Sequence, residues 1–189
     1  MTKEYKIALT QYDLKNYEKA YSLFEKLAKN GDVDAQVSLA SMLYEENAIG
    51  QDVSKACFWY EEAAKQDDLE ALHFCAIHFM DKGNIDKGKV FLNKALKDNY
   101  PPAINTLGTI YDYGDFGYEL NQEKAIELYK KACSMEDSRA CLNLYRLMNE
   151  NNMKEELREF IKDDIGYLKY LKIILNDNWK NCFSLFFSK

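Results

Sequence analysis

Four alanines, Ala35, Ala71, Ala103 and Ala140, stand 36, 32 and 37 residues apart, and the sequence between them repeats. Residues 35–71 read AQVSLASMLYEENAIGQDVSKACFWYEEAAKQDDLEA, and residues 103–140 read AINTLGTIYDYGDFGYELNQEKAIELYKKACSMEDSRA. Lys55-Ala56 falls on Lys124-Ala125, Trp59-Tyr60 on Leu128-Tyr129, and Ala63-Ala64 on Ala132-Cys133. A shortened copy lies between them, carrying Lys87-Gly88, Phe91-Leu92 and Ala95-Leu96. A period of this length belongs to stacked helical hairpins, because one hairpin cannot bury its apolar face alone.

The spacing within each copy supports helices. Apolar residues recur at three- and four-residue steps through Ala35, Leu39, Ala40 and Leu43, then through Ala56, Trp59, Tyr60, Ala63 and Ala64, which places one stripe on one face of each helix. Asp52 is positioned to cap the second helix of its copy, and Asn16 and Asn84 hold the same place in theirs. Asn30-Gly31 and Lys82-Gly83 supply stops, and Pro101-Pro102 marks a helix start. Ala40, Ala76 and Gly108 share one register, and Ala56, Gly88 and Ala125 another. These small residues are expected where two helices cross closely, although Tyr145 takes the first register in the last copy.

Composition removes several classes of function. With 25 basic and 31 acidic residues the net charge is −6, which argues against a phosphate-neutralising nucleic-acid binder and against an anionic membrane surface. The chain is 47% hydrophobic and 30% charged, so disorder is excluded as its main state. Two prolines and eight glycines in 189 residues leave little loop. No segment reads as a membrane span, and the N-terminal run MTKEYKIALTQYDLKNYEKA has no apolar core of a signal peptide. Five cysteines, an odd number, fit a reducing compartment. A cytoplasmic location is therefore expected.

These residues resemble the Sel1-like repeat, a relative of the tetratricopeptide repeat. The opening Ala followed by Leu and Gly appears as Ala103, Leu107 and Gly108, with Tyr111 at the helix end. The Asp-x-x-Lys-Ala and Trp-Tyr-x-x-Ala-Ala stretch appears as Asp52, Lys55, Ala56, Trp59, Tyr60, Ala63 and Ala64. The resemblance implies an all-α, right-handed superhelical solenoid of antiparallel helix pairs. A partial copy would occupy 4–34, copies would follow at 35–70, 71–102 and 103–139, and a further copy would begin at 140–149. Glu46 and Ala48 stand where the family has loop glycines, and the second copy is four residues shorter in that loop. Residues 150–189 read as C-terminal caps, with helices at 153–163 and 165–175 and an apolar tail CFSLFF at 182–187. Packing of that tail on its own chain is the preferred reading, and self-association through it is the alternative.

Catalytic chemistry finds little support. His73 and His78 are five apart and point about 140° apart on a helix, with Cys75 sharing a face with neither, so they are read as packed or surface side chains. The acidic doublets Glu45-Glu46, Glu61-Glu62, Asp67-Asp68, Glu155-Glu156 and Asp163-Asp164 diverge on helices and read as solvated faces. Nucleophile-elbow, phosphate-loop, dinucleotide and zinc-protease motifs are all lacking. The resemblance carries one enzymatic alternative, a hydrolase of cell-wall or β-lactam-like substrates known among cysteine-rich relatives. No Ser-x-x-Lys stands here to support it. Secreted members of that branch staple the turn between Cys133 and Cys141 with a disulfide, whereas two buried thiols are the expectation for a cytoplasmic chain. Cys57, Cys75 and Cys182 read as solitary core or semi-core residues. The chain is expected to need no metal or cofactor and not to be an enzyme.

What remains is a surface for a protein or peptide partner: an adaptor, a scaffold or a neutralising, immunity-type protein. In the family the first helix of each pair lines the concave side. Carried onto this chain, those positions give Tyr44, Glu45, His73, Ile77, Asp81, Asn105, Thr109, Tyr113, Arg139, Leu142 and Arg146 as candidate contacts, in a groove acidic at its start and basic at its end. Tyrosines suit such a role because the ring can be buried while the hydroxyl stays hydrogen-bonded.

Overall fold

A computed structural model describes residues 2–46 and 49–163, and every regular element among them is a helix. Ten helices run in order: α1 (Lys3–Asp13), α2 (Tyr17–Lys29), α3 (Val33–Tyr44), α4 (Val53–Ala64), α5 (Leu69–Asp81), α6 (Ile85–Lys97), α7 (Pro101–Tyr113), α8 (Gln122–Ser134), α9 (Ser138–Glu150) and α10 (Lys154–Asp163). They fall into two compact units divided between Asp98 and Asn99. In the first, α1 pairs with α2, α3 with α4 and α5 with α6, and each pair stacks on the next. In the second, α7 pairs with α8, α8 packs on α9, and the first helices α7 and α9 also touch. The fold class is an all-α solenoid of antiparallel helix pairs. The expected helix at 165–175 and the tail at 182–187 lie outside the described residues.

The repeat is written into the helix starts. Asp32, Asp68 and Asp137 each accept a hydrogen bond from the backbone N–H of the opening alanine, Ala35, Ala71 and Ala140. Each satisfies one of the amide donors that a first turn leaves open. In the third copy Tyr100 takes that position without a side-chain cap, and Pro101 and Pro102 open the helix. The second helices start alike, with Asp52, Asn84 and Asn121 accepting from Lys55, Lys87 and Lys124. Asn16 makes no such cap; its amide donates instead to Gln11 at 3.2 Å. Between hairpins the chain reverses through one residue of positive φ, which is Gly31, Asp67, Asn99 and Glu136 in successive turns; Gly83 and Lys15 do the same within hairpins.

The two small-residue registers are helix crossings. Ala40, Ala56, Ala76 and Ala125 are fully buried. A Cβ on Gly88 would sit 2.5 Å from Met80 Cγ and 2.8 Å from the carbonyl oxygen of Ala76, and one on Gly108 would sit 2.7 Å from the Tyr129 ring. Around these points Leu39, Leu72, Leu92, Ile104, Leu144 and Leu147 form the buried seams.

One expectation is corrected here. Cys133 and Cys141 are not two thiols side by side but a disulfide. The last turn of α8 and the first of α9 bring their Cα atoms to 4.8 Å, within the span a disulfide bridges.

Candidate functional site

The face lined by the first helices carries the polar and aromatic side chains that the core cannot explain. In the first unit it is built from α1, α3 and α5. Tyr5 of α1 and Ser38 of α3 share a hydrogen bond of 2.8 Å, and the Tyr12 hydroxyl donates to Glu45 Oε2 at 3.1 Å. Both pairs are 33 residues apart in sequence, about one repeat, so α1 serves as the first helix of the leading copy. Tyr44 meets Phe74 edge-on with ring centres 5.1 Å apart, and Phe74 stacks on Tyr60 at 3.9 Å and on His78 at 5.9 Å. Between α1 and α3, above Phe24 of α2, a half-open cavity of about 160 Å³ is lined by Leu9, Tyr12, Phe24, Ser38, Ser41 and Met42.

The charged groups acting on the hydroxyls of this face are carboxylates. Burial pushes the Tyr60 hydroxyl up to about 12; its hydrogen bond with Ser41 opposes that rise, and Glu70 and Glu45 add to it. Burial also raises Tyr5, opposed by Ser38 and reinforced by Asp34, Asp32 and Glu70. For Tyr12 burial again leads, followed by its bond to Glu45 and that carboxylate's charge. Among the described residues, none of the lysine or arginine ion pairs involves Asp34, Glu45 or Glu70.

In the second unit α7, α8 and α9 hold a closed polar network. Asp112, 3% exposed, pairs with Arg146 and accepts from the Tyr129 hydroxyl at 3.2 Å. The same hydroxyl lies 3.2 Å from Thr109 Oγ1, while Thr109 donates to the Asn105 carbonyl. Asn143 donates to Asn105 Oδ1 at 3.0 Å, and Arg146 donates a second bond to Glu150 at 2.8 Å. The Arg146 guanidinium lies 5.6 Å from the Tyr113 ring centre.

The candidate contacts therefore sort by burial. Tyr44, Ile77, Tyr113 and Leu142 are exposed large apolar side chains, with Tyr113 57% exposed. Glu45, Asp81 and Arg139 are exposed charges, and His73 is half-buried. Asn105, Thr109 and Arg146 are committed within the second unit, so that network positions Tyr113 and does not offer free polar groups. Sequence reasoning missed Tyr5, Tyr12, Phe74 and Asn143. Tyr5 and Tyr12 could have been found, because sliding α1 by one repeat places them on Ser38 and Glu45.

The histidines and free cysteines assemble no site of their own. His78 Nε2 lies 3.4 Å from Cys57 Sγ, a contact not foreseen from sequence. Burial, then Glu61, pushes the Cys57 thiol up, and burial pushes Cys75 up to about 12, so neither is an activated thiolate. Among the described residues no group of three or more His, Cys, Asp or Glu side chains is placed to hold a metal, and no helix is long and apolar enough to cross a membrane.

The Sel1 repeat model matches residues 11–32, 33–68 and 101–137, together about half of the chain. The chain belongs to the Sel1 repeat family. The shortened copy at 71–102, outside those matches, is nonetheless a full hairpin, α5 with α6. Two curated relatives are fungal. Chitin synthase regulatory factor 3 of Schizosaccharomyces pombe is 29% identical over 60% of this chain and 13% of its own length. Chitin synthase regulator SKT5 of Saccharomyces cerevisiae is 33% identical over 64% of this chain and 18% of its own. The chain thus spans less than a fifth of either. Among solved structures, a Sel1 repeat protein from Oxalobacter formigenes superposes with a TM-score of 0.72 at 17% identity, over 89% of this chain and 74% of that one. The protective antigen c5321 of uropathogenic Escherichia coli gives 0.64 at 22% identity, over 81% and 32%. These likenesses concern the fold. Sel1 repeat proteins generally serve as protein–protein interaction scaffolds, and the family is typically non-catalytic.

Proposed function

We propose that this Sel1 repeat chain is a regulatory adaptor that binds a protein or peptide through the first helices of its repeats. The observation that carries the reading is the exposure of Tyr44 and Ile77 in the first unit and of Tyr113 and Leu142 in the second. All four sit at outward first-helix positions, where solvation alone asks for polar groups. Aromatic anchors flanked by charges are what interface hot spots use. The two fungal relatives are named as regulators of a synthase, which favours a regulatory role over a catalytic one. The partner itself is to be isolated by affinity capture. Truncating Tyr44 or Tyr113 to alanine should then cost about 2 kcal/mol of affinity each, about thirty-fold. Both side chains are exposed, so melting should move little. Lys65→Ala, on the exposed end of α4, serves as control. Two tyrosine variants that bind as tightly as the control would remove the first-helix face as the site.

A further inference from the structure

The cavity between α1 and α3 has the dimensions and polarity of a receptor for one side chain. About 160 Å³ is the size of cavity that accepts a benzene ring in an apolar protein core, and equals about five waters' share of liquid volume. Its walls are split by chemistry. Phe24 and Met42 form a buried floor, the partly exposed Leu9 gives an apolar wall, and Tyr12, Ser38 and Ser41 bring hydroxyl-bearing side chains to the lining. Among the described residues no basic side chain lines it. Glu45 is joined to Tyr12 by one hydrogen bond, which leaves most of the carboxylate's acceptor capacity open, since an ionised carboxylate offers about four lone-pair sites. The charged groups acting most strongly on Tyr5, Tyr12 and Tyr60 are carboxylates: Asp32, Asp34 and Glu70 on the first, Glu45 and Asp13 on the second, Glu70 and Glu45 on the third. An apolar hole with an acidic edge suits an occupant that is a hydrocarbon stem ending in a cation.

We propose that this pocket takes a lysine or arginine side chain of an extended partner segment, its methylenes against Leu9 and the Tyr12 ring and its charge at Glu45. The inference rests on the first-helix interaction reading and adds to it the chemistry of the anchor. Neither a nucleic acid nor an anionic lipid meets this description, because both bring negative charge to an acidic edge. A neutral apolar side chain would fill the hole but gain nothing from Glu45.

The probes are four synthetic peptide pools, random at flanking positions and fixed at the centre as lysine, arginine, norleucine or glutamate. Norleucine keeps the unbranched hydrocarbon stem of lysine without its charge. The full chain should retain the lysine and arginine pools at least about ten-fold better than the glutamate pool, and about five-fold better than the norleucine pool, the range of one exposed charge pair. Glu45→Gln should abolish the preference over norleucine, and Glu45→Lys should reverse it. Ser41→Phe should block every pool. Because Glu45 is exposed, its variants should fold, and their answer stands even if Ser41→Phe melts early.

Equal retention of norleucine and lysine by the wild-type chain, or no retention of any pool, overturns the proposal. So does an unchanged preference in Glu45→Lys. Sedimentation of the same variants supplies the other occupant: self-association lost in Ser41→Phe would mean that the pocket takes a second copy, and the proposal fails. If Tyr44→Ala weakens the captured partner while the Glu45 variants do not, the interaction face stands and the basic anchor alone is wrong.

Discussion

Gly88→Ala tests whether the helix crossing of α5 and α6 sets the sequence at that position. On helix propensity alone the change should stabilise, because alanine in a helix interior is favoured over glycine by about 1 kcal/mol. The surroundings act the other way. The new methyl group would stand 2.5 Å from Met80 Cγ, 2.8 Å from the Ala76 carbonyl oxygen and 3.1 Å from the Met80 backbone nitrogen. Met80 is 2% exposed and has nowhere to swing. The carbonyl is backbone and moves only if α5 and α6 separate, which opens the seam that buries Leu72, Ala76, Leu92 and Ala95. Overpacking of this kind costs about 1–3 kcal/mol, so the net expectation is a loss of about 1 kcal/mol. Urea denaturation midpoints of the wild type, Gly88→Ala and Asn93→Ala provide the measurement. Asn93 lies on the same helix but is exposed, so its variant reports propensity without packing and should gain a few tenths of a kcal/mol. Adding Met80→Ala to Gly88→Ala should not restore the midpoint, since the Ala76 carbonyl remains. A Gly88→Ala midpoint above wild type would refute the close crossing.

Three further outcomes are expected. Asp112→Asn removes the ion pair with Arg146 while keeping the side-chain size; the cost should be about 1–2 kcal/mol, below that of a fully buried pair because Arg146 is one-third exposed, and an unchanged urea midpoint would count against the network. The Cys133–Cys141 bridge closes a loop with a sequence separation of eight, so reduction should cost about 2–3 kcal/mol; alkylation of protein taken from its own cell reports the compartment, two free thiols supporting the cytoplasmic expectation and a protected pair an oxidising one. Tyr60 and Tyr129 are both raised to about 12, chiefly by burial, so the folded state holds these protons more tightly than the unfolded chain. Their contribution is complete below about pH 10 and is lost as pH rises toward 12; Tyr60→Phe should weaken that alkaline loss, and an identical pH profile would contradict the assignment.

The sequence alone determined the repeating unit. The alanine period, the Lys-Ala registers and the capping Asp and Asn residues are local signals, each acting within one helix or one turn, so their meaning does not wait on distant contacts. Helix starts at Ala35, Ala71 and Ala140 were legible for that reason, as were the crossings at Gly88 and Gly108, where only a small residue leaves room for the neighbouring helix. The surface was legible only as a register. Spacing placed Asn105, Thr109 and Arg146 on the first-helix face, but whether a polar group on that face is free depends on what the next helix brings to it. Asn143 reaches Asn105 and Asp112 reaches Arg146 from one repeat away, while Tyr129 of the paired helix reaches Thr109; the closed network leaves Tyr113 as the exposed anchor. The pocket under Tyr12 and Ser41 is likewise a property of two helices and the floor between them. Cys133 and Cys141 became a bridge because the turn between α8 and α9 set their separation, a distance that no count of intervening residues fixes. Local chemistry chose the helices; the approach of one helix to another chose which of their side chains remain available to a partner.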